Sequence, residues 1–516
     1  MPNTTRRALL GATSALILPT FLASAPKEGW AAQDNLEFGL LGFVSNLDPH
    51  VNSGNSWNYI TSVIYSRLVT WNAKNEMIPQ LATSWTLPDS KTLIFKLRSD
   101  VIFHKGQKFT AHDVVYSLER ITNPATGASL GSTIGKLRAT ATNDYEVRID
   151  LEQPDAGFIT TLAMPDASIL SKDWMAGSPN IRADANGTGP YVFTSIEPGV
   201  GLKAARNTAY FGRKAHIATI DFKLIANDSA RLNALRSGVV DIIDYVPWNQ
   251  IDQVKAEKSF DVHAGLSALM NLWLNPSRPA LKDVRVRQAL AFAIDRDAIS
   301  KATFFGYGEP ALGPPTPPSS TFFHPDLSHH YKLDIAKAQT LLKEAALPSD
   351  TTLDFIVSQN PGAYVTVAQI VQANLAKIGV KMNIKLVDWP TLLSHKNSGD
   401  YDAMVYGTSI PGLDPVNTLG YFFGSNGGLW SHGADFNDGE INTLLASARS
   451  ELDPAKRGDI YHALEMRILD VCPWIFLCWR KDAYALKRSI RGFTLLEGAR
   501  FSATCGVSLP DMTVGA

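Results

Sequence analysis

The chain has 516 residues, 45% of them hydrophobic and 19% charged, a composition that excludes a disordered or fibrous protein. Single hydrophobic cores stop growing near about 250–300 residues, so at least two lobes are expected. Its 48 basic and 49 acidic residues give a formal net charge of -1 with no basic tract in the body of the chain, which argues against nucleic acid or an anionic membrane surface as partner.

The N-terminal segment differs from the rest. Arg6 and Arg7 precede an apolar stretch from Ala8 to about Ala25, followed by small residues at Ala31 and Ala32. A positive start, an apolar middle and a small-residue exit make a signal peptide over 1–32, and Thr5-Arg6-Arg7-Ala8-Leu9-Leu10 is similar to the twin-arginine address. The stretch is interrupted by Pro19 and is short for a spanning helix, which needs about 20 apolar residues. No cysteine lies near its end to carry a lipid, so an exported, unlipidated chain is expected in the periplasm.

Beyond Asp34, strand-like and helical runs alternate, predicting an α/β fold. Leu36–Leu41, Thr92–Leu97 and Tyr145–Leu151 read as strands, and Ala111–Arg120 as a helix capped by Thr110. Ile217–Leu224 reads as a strand, Ser229–Arg236 as a helix, and Val239–Tyr245 as a strand again. Asp283–Ala293 and Ala336–Ala346 read as helices. The run of strand Leu353–Ser358, helix Val365–Ile378 and strand Val380–Leu386 is a crossover unit. Gly306–Ser320 is a proline-rich irregular loop. Cys472 and Cys478 lie six apart in a strand-like run, at roughly 20 Å in extended chain, too far for a disulfide; buried thiols are expected.

Several motifs then follow in a fixed order. They are Asn46-Leu47-Asp48-Pro49-His50, Pro79-Gln80-Leu81-Ala82-Thr83-Ser84-Trp85, Phe103-His104-Lys105-Gly106, Phe109-Thr110-Ala111-His112-Asp113-Val114 and Gly187-Thr188-Gly189-Pro190-Tyr191. The most specific is Asp283-Val284-Arg285-Val286-Arg287-Gln288-Ala289-Leu290 with Ala293-Ile294-Asp295-Arg296. With this order the chain resembles the family 5 solute-binding proteins, the peptide, nickel and opine binders of ABC importers. The resemblance implies a two-lobe periplasmic-binding-protein fold of the large type II cluster, with a hinge. Lobe 1 would comprise 34–272 plus 485–516, with a subdomain at about 70–200, and lobe 2 would comprise 273–484. It also implies a small-molecule ligand, a membrane permease with its ATPase as partners, a monomer, and no cofactor. Most motif residues read as structural, Asp283, Arg285 and Arg287 among them.

The family's ligand segments map onto three stretches. One holds Gly54, Asn55, Ser56 and Trp57, where glycine admits a close backbone approach. The second runs from Thr408 and Ser409 to Asp414-Pro415, and the third is Gln359–Tyr364. In dipeptide binders the second carries a carboxylate for the ligand's amino group and the third an arginine for its carboxylate. Here Ile410 or Pro411 stands at the first position, and no arginine stands at the second. A buried ligand charge without a partner is costly, so simple zwitterionic dipeptides are disfavoured and an aromatic, amide-rich or otherwise modified ligand is expected, within a class of small organic solutes that spans peptides, opines and modified amino-acid-like molecules. Tyr364, Tyr406, Trp389 and Trp430 are candidate stacking faces, each with a core role as the competing reading; Asp414 has turn capping as its alternative.

Two rival functions remain open. An enzyme would need a nucleophile elbow, His-Glu-x-x-His or Cys-x-x-Cys, and none is found. Metal capture, as in the nickel binders, would draw on His324, His329 and His330.

Overall fold

The computed structural model describes residues 34–515 except 43–45, 52–54, 75, 360–361, 410–413, 426–429, 432, 499–500 and 502–503. For Asn55, Ser132, Thr133, Gly362 and Ser409 it describes the backbone alone. The signal-peptide reading lies outside these residues. Among them, no helix is long and apolar enough to cross a membrane.

One mixed sheet of eleven strands runs through the molecule. Its order is Lys381–Val387, Thr352–Ser358, Ala403–Ser409, Phe260–Leu274, Trp474–Lys487, Ile242–Ile243, Asn35–Leu40, Thr219–Leu224, Gly201–Arg206, Tyr191–Glu197, with Gly308–Pro310 alongside Trp474–Lys487. Three strands run parallel at one end of this order, and so do Ile242–Ile243, Asn35–Leu40 and Thr219–Leu224 on the other side of the long pair, the arrangement expected of βαβ units; the last two strands, Gly201–Arg206 and Tyr191–Glu197, are antiparallel. The two long central strands, Phe260–Leu274 and Trp474–Lys487, pair antiparallel along almost their whole length. Their register shifts twice, between Leu266 and Ala268 and between Met270 and Asn271.

The first shift lies beside the point where the hydrophobic core divides. From Leu266 onward the first long strand packs with Trp474–Trp479 in the larger core. Its start, Phe260, packs instead with Ala483 and Ala485, and Tyr484 and Leu486 enter the core around Phe38 and Tyr59. The fold is therefore two lobes joined through two continuous strands. A further core, from Leu68 to Ile169, sits on a separate four-stranded sheet. Tyr191–Glu197, placed by the sequence reading inside the subdomain, belongs to the large sheet, because its partner is Gly201–Arg206.

Local signals place most elements well. Thr110 and Asp113 form a reciprocal capping box on the helix Ala111–Thr122. Asp283 caps Val284–Ala293, and the arginines of that motif hold carbonyl groups: Arg287 donates to Leu281, Lys282, Val471 and Cys472, and Arg296 to Ala291, Ile294, Tyr331 and Phe476. Val239–Tyr245 is strand only at Ile242–Ile243. Cys472 is not in a strand; it ends the helix Pro454–Val471 in a left-handed conformation, and the strand starts at Trp474. All three cysteines are free and buried.

Two other motifs lock together. The His104 amide donates to the Gly187 carbonyl at 2.9 Å, the His104 ring meets the Gly189 carbonyl at 3.0 Å, and the Gly189 amide donates to the Ile64 carbonyl at 2.9 Å. A Cβ built on Gly187 or Gly189 would overlap the backbone of Ile64, so glycine is required there by closeness of approach. Burial pulls the His104 pKa down to about 4, against the opposing pull of the Gly189 carbonyl.

Two outcomes are expected. Gly189→Ala should lower unfolding free energy by about 1–3 kcal/mol in urea titrations, as overpacking does. The folded state keeps His104 neutral down to about pH 4, whereas the unfolded chain protonates near 6.5. Unfolding therefore takes up a proton in that window, and stability falls as pH drops from 6.5 toward 4. His104→Gln should remove about 1.4 kcal/mol per pH unit from that slope, read from urea midpoints across the window.

Candidate functional site

Strand register brings two sets of carboxyl ends to the hinge. Ser409, at the end of its strand, lies opposite Ala268, and Ala268 lies opposite Arg480. On the other side Ile243 lies opposite Ala485, so the chain leaving it runs toward the hinge, and the Val246 amide donates to the Ala483 carbonyl. In open α/β sheets ligands bind outside the carboxyl ends of the strands. Here two such edges flank the same two strands.

The second-lobe edge is aromatic. Pairing between Thr352–Ser358 and Ala403–Ser409 is confined to Phe355–Ala403 and Ile356–Met404, so Tyr406 and Thr408 project past it. Tyr364 comes from the first turn of the helix Gly362–Ala376 and Trp389 from the first turn of Trp389–Ser398. Tyr406 lies between two indoles, stacked on Trp273 at 4.3 Å and on Trp389 at 5.4 Å. Trp389 is 38% exposed, so this ladder ends at an open face. Gly407 leaves room for the Tyr364 ring, whose hydroxyl would lie 2.6 Å from an added Cβ. Thr408 Oγ1 accepts from Asn271 Nδ2 at 2.9 Å.

The first-lobe edge is polar. Ser56 Oγ accepts from the Gly42 amide at 3.1 Å, and Asp244 Oδ1 from the Leu41 amide at 2.8 Å. Burial raises the Asp244 pKa to about 7, with Arg231 opposing. Tyr245 has φ 47, a left-handed conformation that a bulky residue adopts at a cost. At the hinge, Ser267 Oγ donates to Asp482, and Arg480 Nη2 lies 3.2 Å from Asp482 Oδ2.

This architecture matches known proteins. The family profile "Bacterial extracellular solute-binding proteins, family 5 Middle" matches residues 76–430. The chain belongs to this family. It is similar to a dipeptide-binding protein of Escherichia coli K12, 29% identical over 486 residues, covering 86% of this chain and 88% of the other. It is also similar to heme-binding protein A of Haemophilus influenzae, 27% identical, covering 88% of each. Among solved structures it resembles the binding protein AgaA of A. tumefaciens R10 in complex with agropinic acid, at TM-score 0.82 and 29% identity, covering 93% of this chain and 99% of that one. The chain is thus a solute-binding component of the ABC-importer type.

The structure sorts the residues singled out in this solute-binding protein. Tyr364, Tyr406 and Thr408 all lie at the second-lobe edge, Tyr364 against the Gly407 face of the strand and Tyr406 and Thr408 on the other face, and Ser56 lies at the first-lobe edge. Trp57 is fully buried in the first-lobe core and donates its indole N–H to the Asp48 carbonyl at 3.2 Å. Trp430 is fully buried among Phe423, Phe436 and Trp474. Asp414 caps the helix Pro415–Phe423, and its carboxylate takes Arg457 at 2.6 Å and the Tyr461 hydroxyl. Its charge is therefore satisfied within the protein. Gly54 and the side chains of Asn55 and Ser409 lie outside the described residues. The three histidines do not converge: His324 pairs with Glu465 at 2.8 Å and His330 packs edge-on against Tyr331. Among the described residues no group of three or more His, Cys, Asp or Glu is placed to hold a metal ion. Tyr245, Asn271, Arg480 and Asp482 escaped the sequence reading. The visible signal was the charged trio Arg480-Lys481-Asp482 inside an otherwise apolar strand.

The lobes also touch at a distance from the hinge. Arg449 Nη1 lies 2.8 Å from Asp155 Oδ2, the Ala156 amide donates to the Arg449 carbonyl at 2.8 Å, and Asn417 Nδ2 donates to Thr160 Oγ1 at 2.6 Å. Phe158 anchors the first side in the subdomain core, and Val416 and Ala448 anchor the second in the large core. These bonds tie the subdomain to the second lobe away from the hinge. Arg449→Ala should shift the ligand-free protein toward an open form, seen as a larger radius of gyration in X-ray scattering. Solute affinity should weaken several-fold as the competent fraction falls.

Proposed function

We propose that this chain is the periplasmic capture subunit of an ABC importer. It is exported through the twin-arginine signal, acts as a monomer, and hands an opine-like or modified amino-acid-like solute to a permease and its ATPase. The observation that carries this reading is the pair of strand carboxyl edges facing each other across a two-strand hinge, one walled by the Trp389–Tyr406–Trp273 ladder. Closure of two lobes on a hinge is an established way to enclose a ligand. The solute would rest on Tyr364, Trp389, Tyr406 and Thr408 from lobe 2 and on Ser56 and Tyr245 from lobe 1. The agropinic acid in the AgaA complex supports the ligand class. So does the absence of arginine from Gln359–Tyr364, the stretch where dipeptide binders place one. No catalytic motif competes with this reading.

Ligand-stripped protein should gain thermal stability with one class of organic solute when opines, peptides, modified amino acids, haem and Ni²⁺ are screened. A solute at 100 times its Kd contributes about 2.7 kcal/mol. Trp389→Ala should remove most of the gain, measured against the empty variant's own melting temperature, because the ring is stacked on Tyr406 and only partly exposed. Stabilisation by Ni²⁺ alone, lost on replacing His324, His329 and His330, would establish the metal reading instead. Tight binding of free dipeptides would refute the argument from missing charge anchors.

A further inference from the structure

Arg480 differs from Arg231, Arg287 and Arg296; Arg67, whose Nε is also buried without a hydrogen-bond partner among the described residues, lies beside Leu68 of the subdomain core and not on a hinge strand. Arg231, Arg287 and Arg296 each spread their donors over several backbone carbonyls. The Arg480 side chain is 15% exposed, and its one ion pair is to Asp482 at 3.2 Å. Its Nε is buried and, among the described residues, has no hydrogen-bond partner. A guanidinium carries five N–H donors, and leaving one buried without an acceptor is costly.

Its position is specific. Arg480 lies in register with Ala268 and Ser409, at the carboxyl edge of lobe 2. Side chains in register on neighbouring strands share a sheet face, and Gly407, against which the Tyr364 hydroxyl rests, lies on that face two residues before Ser409. Tyr364 of lobe 2 and Tyr245 of lobe 1 are both close enough to act electrostatically on Arg480. The guanidinium is thus set between the two edges that form the cleft. The Trp248 ring lies 5.8 Å from it and is itself fixed by donating its indole N–H to the Lys481 carbonyl at 2.8 Å. Asp482 is taken up by Ser267 as well as by Arg480, so it does not exhaust the cation's donors.

We propose that Arg480 is the anchor for a carboxylate of the solute, so that the protein selects organic acids and meets their charge from the hinge rather than from a loop at either edge. A carboxylate entering the cleft accepts from Nε and a neighbouring Nη, in the paired geometry that guanidinium and carboxylate favour. Because Arg480 lies on a strand shared by both lobes, the anion would be held at the pivot, and its binding would not depend on which lobe the solute meets first. This inference rests on the capture reading above and deepens it.

The test uses the full mature chain and matched solutes that differ only as carboxylic acid and primary amide. N-acetyl amino acids with aromatic, aliphatic and hydroxylated side chains would be compared with their amides by titration calorimetry. In the wild type the acid should bind at least about tenfold tighter than its amide. Arg480→Gln should erase that preference by weakening the acid while leaving the amide within about twofold. Arg480→Lys, which keeps the charge but loses the fork, should restore part of it. Equal binding of acid and amide to the wild type, or a preference that survives in Arg480→Gln, would overturn the anchor and leave the capture reading standing. Failure of every organic solute to bind the wild type would overturn both. The wild-type comparison needs no variant, so it decides the ligand class even where Arg480→Gln does not fold.

Discussion

The antiparallel pairing of Phe260–Leu274 with Trp474–Lys487 is the contact on which the rest of the molecule depends. It is continuous across both lobes, and its first register shift, near Ser267, lies beside the point where the core changes from one lobe to the other. A strand pair is stiff along its length but twists readily at an irregularity. The lobes are thereby tied at one line and free to close about it. The strand residues of the candidate site are placed by register relative to this pair: Thr408 opposite Leu269, Arg480 opposite Ala268, and Tyr245 just past the short strand that pairs with Ala485 and Leu486.

Closure needs a second set of contacts away from the pivot, and the Asp155–Arg449 pair with its two accompanying hydrogen bonds provides one. Exposed ion pairs contribute little, but this one is partly buried at both ends and backed by a backbone bond. The subdomain and the second lobe are therefore bonded to each other directly in this conformation. A solute would add its own contacts to these, consistent with ligand binding as a shift of an existing equilibrium.

Buried arginine has two uses here. Arg287 and Arg296 spend their donors on carbonyls at strand and helix ends, where no backbone N–H is available. Burial alone would expel the charge, and it does pull the Arg296 pKa down to about 10. Multiple hydrogen bonds offset that cost. Arg480 has been spared this structural duty, which is what makes it available to something entering the cleft.

Much of the fold was legible in the sequence. Periodicity and capping residues located the helices Ala111–Thr122 and Val284–Ala293 and the crossover of Thr352–Ser358, Gly362–Ala376 and Lys381–Val387, because these signals are local. The order of motifs pointed to the family, and the motif arginines read correctly as structural. Local signals failed where tertiary contacts decide. Cys472 is apolar and strand-like by composition but ends a helix, since Arg287 draws its carbonyl. Aromatic residues look alike in a sequence whether they line a cleft or fill a core. Trp57 and Trp430 are buried while Trp389 is partly open, and only packing separates them. Asp414 shows a free carboxylate in sequence and a satisfied one in space, because Arg457 and Tyr461 arrive from a helix more than forty residues later. The sequence by itself determined the two-lobe α/β class, the elements and the family. The tertiary structure decided which charges are already neutralised and which, like that of Arg480, lack a full set of partners among the described residues, because hydrogen-bond satisfaction depends on groups that meet only when the sheet is assembled.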